Sequence, residues 1–139
     1  MRRALLFMAL ASACPAAALA GDVIVTADQA RKIEGGVIFR LYDEAGYLKQ
    51  PIEEIYSKLN ADGSAVVTFK GVKPGSYAVV AIHDKNGNRK MDTNFLGIPK
   101  EKGGFSNNAP ASFGPAKFSK AAFTVNATGN VKLTIHMNQ

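Results

Sequence analysis

The sequence predicts an all-β fold, a Greek-key β-sandwich of about seven strands, on three observations. Apolar residues recur with period two through most of the chain, as they do in a strand with one buried face. β-Branched and aromatic residues dominate these segments, and Gly, Asn and Asp bound them as turn residues do. The one long departure, residues 83–115, is rich in Gly, Asn, Asp, Ser and Pro, and a loop of that length inside a small domain is usually functional or specially ordered.

Residues 1–20 place Arg2 and Arg3 before an apolar run over 4–13, then Pro15, then Ala18-Leu19-Ala20, which reads as a secretory signal peptide with its cleavage site. Residues 21–139 are then a single β-sandwich domain, exported to the periplasm or secreted. A competing reading makes Cys14 a lipidated cysteine, but Ala11 stands where a larger aliphatic residue is expected and Ala20 offers a good cut. The apolar run is about half of the roughly 18 residues that span a bilayer, and no later stretch is both long and uncharged, so no transmembrane segment is expected.

In chain order, residues 23–27 and 36–42 predict strands, the second with Val37, Phe39 and Leu41 on one face. Residues 51–59 place Ile52, Ile55, Tyr56 and Leu59 at helical spacing after Pro51, which predicts a short helix of about two turns. Residues 64–70 predict a strand with Val67 and Phe69 inward. Residues 76–83 are apolar on both faces, as a central strand is. Residues 117–125 and 130–137 predict a final pair of strands joined by a hairpin-like turn over 126–129. In the last of these Val131, Leu133, Ile135 and Met137 alternate with Lys132, Thr134 and His136.

The chain of 139 residues is 47% hydrophobic and 20% charged, which gives one core and excludes a large multidomain enzyme. Its single cysteine, Cys14, lies in the leader, so the mature chain has no disulfide, cysteine nucleophile or Cys-based metal site. Seventeen basic groups face eleven acidic ones, and without Arg2 and Arg3 the net charge is +4. These cations are scattered and not interleaved with aromatics, so no nucleic-acid partner is expected.

The most informative stretch is residues 83–94. Asp84, Asn86, Asn88 and Asp92 hold oxygens at relative positions 1, 3, 5 and 9, a spacing that wraps Ca²⁺, and Asn94 is a further donor. The loop is not an EF-hand: Arg89 stands where the sharp turn needs glycine, Phe95 stands where a glutamate should close the site, and the flanks are strands. Few carboxylates among many cations predict weak binding, with Kd of roughly 10⁻⁴ to 10⁻³ M. The same side chains also suit successive Asx turns that need no ion. His83, Asp84 and Glu101 are the residues a metal-dependent enzyme would use, and Tyr77, Phe105 and Asn107 those of a small-ligand or glycan binder. No nucleophile elbow surrounds Ser106.

The run Gly75-Ser76-Tyr77-Ala78 leading into His83-Asp84-Lys85-Asn86-Gly87-Asn88, then Asp92-Thr93-Asn94, Gly97-Ile98-Pro99-Lys100-Glu101, Gly104-Phe105-Ser106-Asn107-Asn108 and Phe113-Gly114-Pro115 resembles the bacterial exported proteins grouped as domain of unknown function 2141. The resemblance extends to Phe118 and Ala121-Ala122-Phe123; Arg89 departs from it where such loops commonly read glycine. It implies an exported β-sandwich related in shape to transthyretin-like or carboxypeptidase-regulatory-like modules. It implies no established activity. The expected protein is therefore an exported, monomeric, non-enzymatic module that binds Ca²⁺ weakly and interacts with an envelope component or protein partner.

Overall fold

The computed structural model describes residues 20–93, 95–96 and 100–137. The signal-peptide and Cys14 expectations lie outside the described residues. The chain is nearly all β, with eight strands among the described residues arranged in two facing sheets. β1 (Gly21–Asp28) lies at the centre of a three-stranded sheet, flanked by β4 (Ala65–Val72), antiparallel, and β8 (Val131–His136), parallel. The second sheet has the order β3 (Glu53–Lys58), β2 (Gly36–Tyr42), β5 (Gly75–Asp84), β6 (Gly103–Phe105), and β7 (Phe123–Val125) pairs with the start of β5. Among the described residues, no helix is long and apolar enough to cross a membrane.

Period-two patterning decides which face of each strand turns inward. Val23, Val25 and Ala27 of β1 meet Val67 and Phe69 of β4 and Ile135 of β8 from one side, and Val37, Phe39, Leu41, Val79 and Ala81 from the other. All are buried, and each such aliphatic or aromatic side chain contributes about 1.5–3 kcal/mol relative to exposure. The second sheet is apolar on its outer face as well, where Ile38, Tyr42, Val80 and Ile82 form a second cluster. This is why residues 76–83 carry no polar alternation. Loops cover that outer face: Tyr47 reaches over it to donate to the Ala116 carbonyl (2.7 Å) and meets Tyr42 and Phe118 edge-on. Burial of the phenol and the neighbouring Tyr42 push the Tyr47 pKa up to about 12.

Two expectations are corrected. Residues 51–59 are not a helix: Glu53–Lys58 is an edge strand paired with β2 in a register that sets Glu54 opposite Arg40 and Tyr56 opposite Ile38. Arg40 Nε donates to Glu54 at 2.6 Å, a cross-strand ion pair that a helix would not allow. Residues 117–125 are not one strand of a hairpin. They form a single helical turn, α1 (Phe118–Ala121), followed by β7, and β7 and β8 join different sheets. Ala121 N–H and Ala122 N–H donate to the Lys117 and Phe118 carbonyls, closing that turn. β6 was unforeseen, since two of its three residues, Gly103 and Gly104, are of a type depleted in strands. Its glycines allow close approach: a Cβ on Gly103 would stand 2.1 Å from the Ala81 carbonyl oxygen, and one on Gly104 2.5 Å from that of His136.

Candidate functional site

β5 carries the candidate site at its C-terminal end. Its alternation turns Val79, Ala81 and His83 toward the core and Val80, Ile82 and Asp84 toward the outer face. The chain entering β2 runs directly beside this end, with Gly36 paired to Asp84. Gly35, at φ +68°, passes so close to the Asp84 carbonyl that a Cβ there would lie 1.9 Å from its oxygen. Asp84 is fully buried, with 0% of its surface exposed.

The two carboxylate oxygens of Asp84 have different surroundings. Oδ2 accepts the Arg89 backbone N–H at 2.7 Å, whereas Oδ1 is buried and has no hydrogen-bond partner among the described residues. Buried carboxylate oxygens without partners are costly and uncommon. Beyond Asp84 the loop folds on Asx turns: Asn86 Oδ1 accepts the Asn88 N–H (3.1 Å) and Asn88 Oδ1 the Lys90 N–H (2.9 Å). Asp92 closes it, accepting from the side-chain amides of Asn86 (2.6 Å) and Asn88 (2.8 and 3.0 Å). Arg89 makes the sharp turn itself, at φ +60°, anchored by its amide on Asp84 and by its guanidinium 4.7 Å from the centre of the Tyr56 ring. The glycine that the sequence lacks at this position is thus replaced by two contacts.

Of the predicted ligand set, Asn86, Asn88 and Asp92 are in direct contact and Asp84 joins them through the Arg89 amide. Asn94 lies outside the described residues. Among the described residues, no group of three or more His, Cys, Asp or Glu side chains is disposed to hold a metal. Glu101 approaches from the far end of the loop and accepts the Asp92 N–H at 3.2 Å. The enzyme-like grouping does not assemble: His83 faces the core, where its Nε2–H donates to the Glu34 carbonyl (2.9 Å), on the opposite side of β5 from Asp84. Ser106 is a fully buried strut, accepting the Val79 N–H (3.0 Å) and donating to the Ala121 carbonyl (2.5 Å). It fills the gap along β5 between β6 and β7.

The family described as uncharacterized protein conserved in bacteria (DUF2141) matches residues 25–134. The chain belongs to this family. The DUF2141 match runs from the middle of β1 into β8 and takes in both sheets and the whole 83–115 loop. No curated protein matches the chain.

In this DUF2141 domain Tyr77, Phe105 and Asn107 do not form one surface. Tyr77 packs against the core and donates to the Lys73 carbonyl (2.7 Å), Phe105 packs on the outer face, and the Asn107 amide donates to the Lys120 and Ala122 carbonyls. A pair that sequence reasoning missed is Asp28 and His136. Strand pairing of β1 with β8 brings them to 2.5 Å, half-exposed, with Nδ1–H donating to Asp28 Oδ1. Their separation of 108 positions leaves no local signal.

Burial pushes the Glu101 carboxyl above the ordinary glutamate range, and the charges of Asp84 and Asp92 push it the same way, against hydrogen bonds from the Asp92 and Lys85 amides. A carboxyl raised on folding favours its protonated form in the native state. Its ionised form therefore lowers stability once pH exceeds the folded value, and this effect vanishes below the unfolded value. Glu101→Gln is accordingly expected to melt higher than the parent at neutral pH in EDTA, with the gap closing as pH falls through the acidic range. Melting curves across pH check this, and a gap that widens toward acid would contradict it.

Proposed function

We propose that the protein is an exported, non-enzymatic β-sandwich module that binds Ca²⁺ weakly at the end of β5 and acts on an envelope component or protein partner through this face. The observation that carries the proposal is the buried, unpartnered Oδ1 of Asp84. A hard cation taking oxygen ligands would satisfy it, with side-chain oxygens of Asn86, Asn88 and Asp92 as further ligands and Asn94 as an additional donor. Binding rather than catalysis is supported by the burial of His83 and Ser106 and by the engagement of His83 Nε2 and Ser106 Oγ with backbone groups. Export rests on the leader-like pattern of residues 1–20.

Thermal unfolding of the chain in EDTA, Ca²⁺ and Mg²⁺ tests the calcium reading. A ligand present at about ten times its Kd adds about 1.4 kcal/mol to the native state, a shift of several degrees for a domain of this size. Calcium is expected to raise the midpoint more than magnesium, and Asp84→Asn, which keeps an acceptor for the Arg89 amide, is expected to abolish the rise. An equal calcium response in parent and Asp84→Asn overturns the reading.

A further inference from the structure

The loop that leaves β5 sorts its charges. Between Asp84 and Glu101 the chain holds four cations and three carboxylates, a nearly balanced composition. The carboxylates are drawn in: Asp84 is buried, Asp92 is half-buried and accepts from the Asn86 and Asn88 amides, and Glu101, also half-buried, accepts the Asp92 N–H. Lys85, Arg89, Lys90 and Lys100 are all exposed, so the loop shows a cationic surface to its surroundings. It exposes apolar bulk as well. The Lys100 N–H donates to the Asp92 carbonyl at 2.8 Å, which draws the two ends of residues 92–100 together. Within this excursion 95% of Phe95 and 67% of Leu96 are exposed, whereas Phe39 and Phe69 of the core are fully buried. Adjacent exposed apolar side chains rimmed by polar groups mark an interaction site.

Area and charge select the occupant. Phe95 and Leu96 together offer on the order of 300 Å² of apolar surface, well short of the roughly 800 Å² that each side of a stable protein complex supplies. Entry into a lipid headgroup region needs only a small apolar element, supplemented by attraction between basic side chains and anionic lipids. We propose that this loop docks the protein on an anionic lipid surface, with Phe95 and Leu96 entering the headgroup region and Lys90 and Lys100, beside the two ends of the excursion, meeting lipid phosphates. The inward turn of Asp84, Asp92 and Glu101 keeps like charge away from those phosphates. The inference gives a chemical class to the envelope component of the proposed function and rests on that part of it, but it does not require the calcium ligands.

Co-sedimentation in EDTA with vesicles of equal parts phosphatidylcholine and phosphatidylglycerol, against phosphatidylcholine alone, is the test. Residues 21–139 are used, since all eight strands lie within them and the apolar leader would itself bind lipid. Partition onto the anionic vesicles is expected to exceed that onto neutral ones and to fall with added salt. The double changes Phe95→Ser with Leu96→Ser, at exposed positions that the core does not use, and Lys90→Glu with Lys100→Glu are each expected to weaken partition by about tenfold or more. Ile52→Ser, an exposed apolar position beside the start of β3, is expected to leave it unchanged. The chain has no tryptophan, so Phe95→Trp gives a single reporter whose emission is expected to shift to the blue on anionic vesicles, while that of Ile52→Trp stays in place. Absence of partition, which would leave the tip to a protein partner, equal partition onto both vesicle types, undiminished binding of either double variant, or equal blue shifts at the two reporter positions would each overturn the proposal. Lipid binding is read without calcium and the calcium response without lipid, so either reading can fail alone.

Discussion

Gly35→Ala is expected to destabilise the domain by about 3 kcal/mol or more, from two effects that add. Alanine is disfavoured at φ +68°, and its methyl would occupy space held by backbone, 1.9 Å from the Asp84 carbonyl oxygen and 2.8 Å from that of Lys85. Neither atom is the end of a flexible side chain. Relief therefore requires the entry to β2 and the end of β5 to separate, which disturbs the Gly36–Asp84 pairing and the neighbouring His83–Glu34 hydrogen bond. Denaturant unfolding measures the loss. Gly71→Ala is the control, because its φ is also positive, +64°, but nothing lies within 4 Å of its added Cβ. Similar losses at the two positions would show that the close backbone approach to Asp84 contributes nothing.

Phe39→Ala is expected to lose about 3–5 kcal/mol, comparable to much of the net stability of a domain. Phe39 is fully buried at the middle of β2 within the cluster shared by both sheets, and Phe69 of β4 is buried in the same cluster. Strands on both sides, β3 through Ile55 and β5 through Ala81, hold β2 in register. The backbone is thus poorly placed to collapse into the void, and a residual cavity adds to the lost transfer energy. A matched Val66→Ala change, on the exposed side of β4, should cost far less. A small loss at Phe39 would mean that the sheets close over the gap.

Strands with one clearly buried face were legible because alternation and burial coincide. Residues 36–42 form β2 with the predicted bounds, and Val131, Leu133 and Ile135 point inward in β8 as their spacing implies. Residues 51–59 misled because Ile52, Ile55, Tyr56 and Leu59 fit a helical stripe. An exposed edge strand needs only one inward residue, Ile55, and its register comes from Arg40, a residue distant in sequence. The Ala-rich 117–125 segment likewise has two local solutions, and its contacts with β5 and the 106–108 turn accompany the helical turn. At the site, the Asp/Asn spacing correctly marked a folded loop, and the Asx turns were foreseen as one of its two arrangements. The different environments of the two Asp84 oxygens were not, since the complete burial of this side chain is a tertiary property that the loop spacing does not encode.

The parallel pairing of β1 with β8 has a kinetic consequence. Val23–Asp28 and Val131–His136 are matched residue for residue across 108 positions, so the three-stranded sheet is finished only when the last strand docks beside the first. Such high contact order makes folding slow, because a large loop must close before its contacts contribute. Until then, one side of β1 presents unpaired amides and carbonyls, an open template for other chains. A nascent chain therefore stays unfinished and vulnerable to aggregation until synthesis has reached its final strand.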